Sequence, residues 1–178
     1  MMKKTMLWMG MMSLVMSAGA WAVLVPADEN VTFNYGSDEI IVNSQVTLDG
    51  EVYTYTYQIT STDLHVFNFA VQLLPGSNAV NATYAADGVE PTSWVISDSP
   101  LIATALFGDL VNPGEVSATL SFDSSQAPTY GNAVVNGMTA NFSFASAEGR
   151  IFTPIPEPAT LLLLAVGAGV FIRRRKSC

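Results

Sequence analysis

Residues 52–59 read Val-Tyr-Thr-Tyr-Thr-Tyr-Gln-Ile. Alternation this strict belongs to a pleated strand, which puts Tyr53, Tyr55, Tyr57 and Ile59 on one face and Thr54, Thr56 and Gln58 on the other. The theme returns in His65–Leu73, where Phe67, Phe69, Val71 and Leu73 are expected to align, and again in Val116–Phe122 and Met138–Phe144. Threonine, aromatic and β-branched residues suit a half-buried pleated surface. No stretch between Val23 and Thr153 carries a 3.6-residue apolar period with a cap.

Turn pairs punctuate these runs: Asp49-Gly50, Pro75-Gly76, Asp87-Gly88, Pro113-Gly114 and Asn136-Gly137. Asp49-Gly50, between Ile40–Leu48 and Glu51–Ile59, is the strongest hairpin signal. The pattern predicts about eight or nine strands with one apolar and one polar face each, hence an all-β antiparallel sandwich. Residues 23–148 form this single domain and 149–155 a short stalk. The tyrosine-bearing face is read as core, which requires its hydroxyls to reach the rim or find partners.

Charge is sorted along the chain. Val23 to Thr153 holds fourteen carboxylates, Arg150 and no lysine, a net of about −13 with His65 neutral. Such a body cannot neutralise phosphates, so nucleic acid is excluded as a partner. An anionic polysaccharide or lipid surface is repelled for the same reason, whereas a neutral glycan is not.

The cations sit outside this body. Lys3 and Lys4 precede an apolar run from Met6 to Met16, followed by Ser17-Ala18-Gly19-Ala20-Trp21-Ala22. A basic start, an apolar middle and small residues at Ala20 and Ala22 make a secretory signal over 1–22, with cleavage after Ala22. In the other flank, Ala159–Ile172 has no charge and abuts Arg173, Arg174, Arg175 and Lys176. Fourteen helical residues span about 21 Å, and Pro156–Pro158 with snorkelling arginines bring that near the roughly 30 Å of a bilayer core. The cations then mark the cytoplasmic side and act as a stop. Pro156-Glu157-Pro158 stiffens the chain where it enters the lipid.

Pro156-Glu157-Pro158, the apolar helix and Arg173–Lys176 together resemble the PEP-CTERM sorting signal of exported bacterial proteins. The resemblance covers 156–178 and implies recognition of Pro156, Glu157 and Pro158 by an exosortase, a membrane-embedded protease or transpeptidase that removes the tail. The chain would be that enzyme's substrate: exported, transiently anchored in the bilayer with its body outside the cytoplasm, then released to the surface or extracellular matrix. The body more loosely resembles the small β-sandwich domains that precede such tails, through its Tyr/Thr hairpin, Trp94, and Pro113-Gly114 leading to Phe122.

Catalytic equipment is sparse. Cys178 is the one cysteine, His65 the one histidine, and no Gly-x-Ser-x-Gly elbow is present. The carboxylates fall at expected turns and strand ends, and no Asp-x-Asp-x-Asp-Gly loop organises them for Ca²⁺. The expectation is therefore a non-enzymatic protein without a cofactor, calcium being the one ion worth testing. The alternative is a module that binds neutral exopolysaccharide, for which Trp94 is the candidate contact, although an aromatic in a strand is more often core.

Overall fold

The computed structural model describes residues 25–99 and 101–154. The expected leader 1–22, sorting tail 156–178 and helix 159–172 lie outside the described residues. Two glycine-led turns start the fold. Gly36-Ser37 joins β1 (Ala27–Tyr35) to β2 (Asp38–Asp49), and Gly50-Glu51 joins β2 to β3 (Val52–Ser61). Both glycines take positive φ, +64° and +62°. A two-residue turn with glycine first is type II′, whose twist matches that of the flanking strands. The second turn therefore lies one residue beyond the expected Asp49-Gly50 pair.

Seven strands follow: β4 (His65–Gln72), β5 (Val80–Ala85), β6 (Ser93–Asp98), β7 (Leu101–Val111), β8 (Thr119–Ser124), β9 (Pro128–Met138) and β10 (Phe144–Pro154). All pairings between strands are antiparallel. Sheet I has the order β1-β2-β3-β8-β5 and sheet II the order β10-β9-β4-β7-β6. The two sheets pack face to face as the expected sandwich, with β1 lying against β10 and β5 against β6.

The core is asymmetric. Sheet I contributes bulky side chains, Phe33, Ile40, Tyr55, Tyr57, Ile59, Leu120 and Phe122, all fully buried. Sheet II answers with many small ones: Ala103, Ala105, Ala133, Ala145 and Ala147, beside Phe69, Val71, Val135 and Ile151. Two sheets pack about 10 Å apart, so large rings on one side need small partners on the other. Tyr55 stacks on Phe122 at 5.3 Å and Tyr57 packs on Phe69 at 5.7 Å between ring centroids. The tyrosine face is core, and its hydroxyls are satisfied. Tyr55 donates to the Gln126 carbonyl and Tyr57 to the Phe152 carbonyl, each at 2.7 Å.

Four expectations are corrected. Phe67 does not align with Phe69, because a bulge between Val66 and Asn68 shifts the register against both β7 and β9. Val66 is buried in its place. Met138–Phe144 is a hairpin tip, not a strand: Phe142 N–H donates to Thr139 O at 2.8 Å and Thr139 N–H to Ser143 O at 2.9 Å. Asn136-Gly137 is no turn but part of β9, where a Cβ on Gly137 would sit 2.9 Å from the His65 carbonyl. Finally, 149–154 is no stalk. It completes β10, paired with β9 as far as Pro154 opposite Pro128, and Ile151, Phe152 and Thr153 are buried.

Candidate functional site

Trp94, the candidate glycan contact, lies in the core at 6% exposure. Its indole N–H donates to Ser121 O at 2.8 Å and its ring packs near Phe122 at 6.3 Å. A sugar has no access to that ring face, so any glycan contact must come from other residues. His65 opens β4 with Nδ1 2.8 Å from Asn112 Oδ1, and Asn112 donates in turn to Glu115 from both its backbone and side-chain N–H groups. This chain of contacts ties the β4 start to the Pro113-Gly114 turn and brings no serine or threonine hydroxyl to the imidazole.

The carboxylates are dispersed. Among the described residues no three of His, Asp and Glu come together as a metal set. Asp87 accepts from the Thr119 backbone N–H at 2.7 Å and hydroxyl at 2.6 Å. The Thr119 hydroxyl bond, then the backbone bond, hold its carboxyl below the ordinary value. Asp123 accepts from Thr54 at 2.8 Å and Asn81 at 3.1 Å. These carboxylates pin loops and strands in place.

The outward faces of the two sheets differ in chemistry. On sheet I, register sets Asp28, Gln45, Thr56, Ser121 and Thr83 side by side, with Asn30, Asn43 and Gln58 in the neighbouring row. Their side chains bond one another: Asn43 donates to Asp28 at 2.8 Å and to Asn30 at 3.1 Å. Sheet II instead mixes amides with apolar groups. One row reads Ser146, Asn136, Asn68, Leu106, Ser93 and the next Glu148, Val134, Ala70, Thr104, Val95. Beyond them lie Arg150, Asn132, Gln72, Ile102 and Ser97. The charged residues across these three rows are Glu148 and Arg150, both on edge strand β10.

At one end of this face the β9–β10 tip adds exposed rings. Phe142 is 78% exposed and Phe144 63%. Phe144 packs against half-buried Phe67 at 6.0 Å, and Tyr35 Oη lies 3.4 Å from the Phe144 carbonyl. Phe142 has φ +58°, in the left-handed region where a hairpin of this type ordinarily carries glycine. That substitution is why the sequence pattern hid the turn: no glycine marks it, and Met138–Phe144 keeps a period of two. Phe67 was misplaced by the bulge, which leaves no local signal. The outward pairing of Asn68 with Asn136 needed the register of β4 against β9.

The opposite end of β10 meets the tail. Phe152 N–H donates to Ser44 Oγ at 3.2 Å while its carbonyl accepts from Tyr57, so the last strand is bolted to sheet I just before Pro154. Residues 154–176 match the family model of the PEP-CTERM protein-sorting motif. The matched segment starts on Pro154, the last described residue of β10, and takes in Pro156–Pro158, Ala159–Ile172 and Arg173–Lys176. No curated protein and no solved structure matches the chain. Tail and body thus stand differently: the tail is similar to a known sorting motif, and the body is defined by its fold alone. An all-β sandwich bearing a sorting-motif match is consistent with an exported surface protein.

Proposed function

We propose that the chain is an exosortase-type substrate: a non-enzymatic β-sandwich exported by a cleaved signal ending at Ala22 and then sorted through its tail. In this reading Pro156, Glu157 and Pro158 are recognised by the membrane protease, Ala159–Ile172 holds the chain in the bilayer, and Arg173–Lys176 stops transfer on the cytoplasmic side. Cutting frees the body to the cell surface or extracellular matrix.

The observation that carries the reading is the match over 154–176, which begins at Pro154, a residue still paired with Pro128 in β10. Because Ile151, Phe152 and Thr153 are buried, a cut within β10 would strip core contacts. A cut beyond Pro154 would leave the sandwich whole. The acidic body adds support, since it avoids anionic lipid heads and leaves the tail as the membrane attachment. The test is expression with and without a sorting protease, followed by intact mass measurement of the mature protein. Loss of mass that depends on the protease and maps beyond Pro154 supports the reading; an identical terminus in both backgrounds overturns it.

A further inference from the structure

We propose that the outward face of sheet II, together with the β9–β10 tip, binds a neutral polysaccharide chain. This stands apart from how the tail is processed. Its first support is the tip. Phe142 holds a left-handed backbone conformation at φ +58° and leaves most of its ring in water. The backbone conformation opposes folding and the exposed ring returns no burial, so local stability does not account for the residue, and conformations of this kind gather at functional positions. Phe144 and half-buried Phe67 form a ring pair of their own at the same end of the sheet II face.

Second, the face behind the rings offers hydroxyl-matching groups. Asn136 Nδ2 donates to Asn68 Oδ1 at 2.7 Å, and Asn132 Nδ2 donates to Gln72 Oε1 at 3.3 Å. Each pair consumes one donor and one acceptor between its own members, and Asn68 gives one more N–H to Ala105 O. Further donor and acceptor capacity remains at both pairs. They sit on the same two strands, β4 and β9, about 13 Å apart at roughly 3.3 Å per residue. Sugar hydroxyls both donate and accept, and the C–H faces of sugar rings carry slight positive character that suits the negative face of an aromatic ring.

Third, charge selects among polymers. The body carries about −13, yet across the three rows of this face charge is confined to Glu148 and Arg150 on the edge strand. An anionic polymer meets no cationic patch, and a second copy would bring an equal negative field into contact. The ring pair also lies far from the tail. Tyr35 and Phe144 mark one end of the sandwich, while Ala27 and Pro154 mark the other, some 33 Å away along β10 by strand rise. A cut beyond Pro154 leaves the rings untouched.

The experiment is affinity electrophoresis of the full chain in non-ionic detergent, through gels containing hydroxyethylcellulose, mixed-linkage β-glucan or galactomannan, with alginate as the anionic control. At least one neutral polymer is expected to retard the wild type and alginate is not. Phe142→Gly removes the ring while relieving the backbone, so it should raise or preserve the melting temperature yet weaken retardation roughly tenfold, as loss of an aromatic anchor does. Asn136→Ala should weaken it less, and Thr56→Ala on sheet I should leave it unchanged. Absence of retardation in all three neutral gels overturns the proposal, as does equal retardation by alginate. A dimer in sedimentation that Phe142→Gly dissolves, with glycan retardation unaffected, would assign the tip to self-association and also overturn it.

Discussion

The two flanks of the sandwich are closed by different means. Where β1 meets β10, the seam is made of core contacts. Phe33 packs so closely on Gly149 that a Cβ there would collide with its ring. Ser44 and Tyr57 of sheet I take up the backbone N–H and C=O of Phe152, and Ile151 and Phe152 are buried. Where β5 meets β6, Trp94 reaches across to Ser121 O and Asp87 secures Thr119. There β5 is mostly exposed, and a register shift between Val80 and Thr83 interrupts its pairing with β8. Edge strands expose unpaired backbone groups that proteins must cover, blunt or distort. The β1/β10 flank covers its edge with side chains of the facing sheet, and the β5/β6 flank distorts it. The covered flank is the one that continues into the sorting motif, so the strand nearest the tail is also among the most firmly held.

This contrast sets an order of effects. Ile151→Ala should remove about 2–5 kcal/mol of unfolding free energy by opening a cavity at the sealed flank. Val80→Ala at the open flank should change it by less than about 0.5 kcal/mol, the usual range for exposed sites. Urea unfolding followed by tryptophan fluorescence measures both, and equal losses would erase the distinction. Gly149→Val should cost about 1–3 kcal/mol through overpacking against Phe33 in the same measurement. Tyr57→Phe, which leaves the Phe152 carbonyl without its phenol donor, should cost about 1–3 kcal/mol in the same measurement. A cost near zero would remove that bond from the seam.

The buried phenols and the exposed Asp87 carboxylate also differ in their pH response. Burial pushes the phenols of Tyr55 and Tyr57 above their ordinary value, each further raised by the neighbouring tyrosine, Tyr53 and Tyr55 respectively. Above about pH 10 the unfolded chain sheds these protons while the folded chain keeps them, so stability falls as pH rises through that value. Asp87 behaves oppositely. Its carboxyl is held low, so its contribution is present above the ordinary carboxylate value and is lost as pH falls through the lowered one. Because Asp87 is exposed, the acid effect should be the smaller. Melting temperatures of wild type, Tyr57→Phe and Asp87→Asn from pH 3 to 11 test this. Tyr57→Phe should flatten the alkaline limb and Asp87→Asn the acid limb; no change in either would remove the two links as titrating contacts.

Legibility in the sequence followed the range of the interaction. The Tyr53–Tyr57 run identified a strand and its buried face because alternation is local, and Pro75-Gly76 and Pro113-Gly114 marked turns because Gly76 and Gly114 do adopt positive φ. Asn136-Gly137 misled for the same reason: the pair is a turn signal by itself, but here glycine answers the His65 carbonyl of a neighbouring strand. Phe142 hid a turn by occupying the glycine position. Residues 149–155 read as a stalk between body and tail, whereas Phe33 and Ser44, more than a hundred positions away, make 149–154 a core strand. Of the candidate sites, the tail was readable as a motif and the outward face of sheet II was not, since its amides and rings come from strands distant in sequence.

Sequence alone determined the strand period, the buried tyrosine face, the segregation of charge and the sorting motif, because each depends on residues close together along the chain. Tertiary structure alone decided that 149–154 belongs to the sandwich, which way Phe67 points, and which of two similar sheets presents amides and rings to solvent. Those outcomes rest on register, a single bulged residue and the fit of large side chains against small ones across the core, and none of these is a property of any one segment.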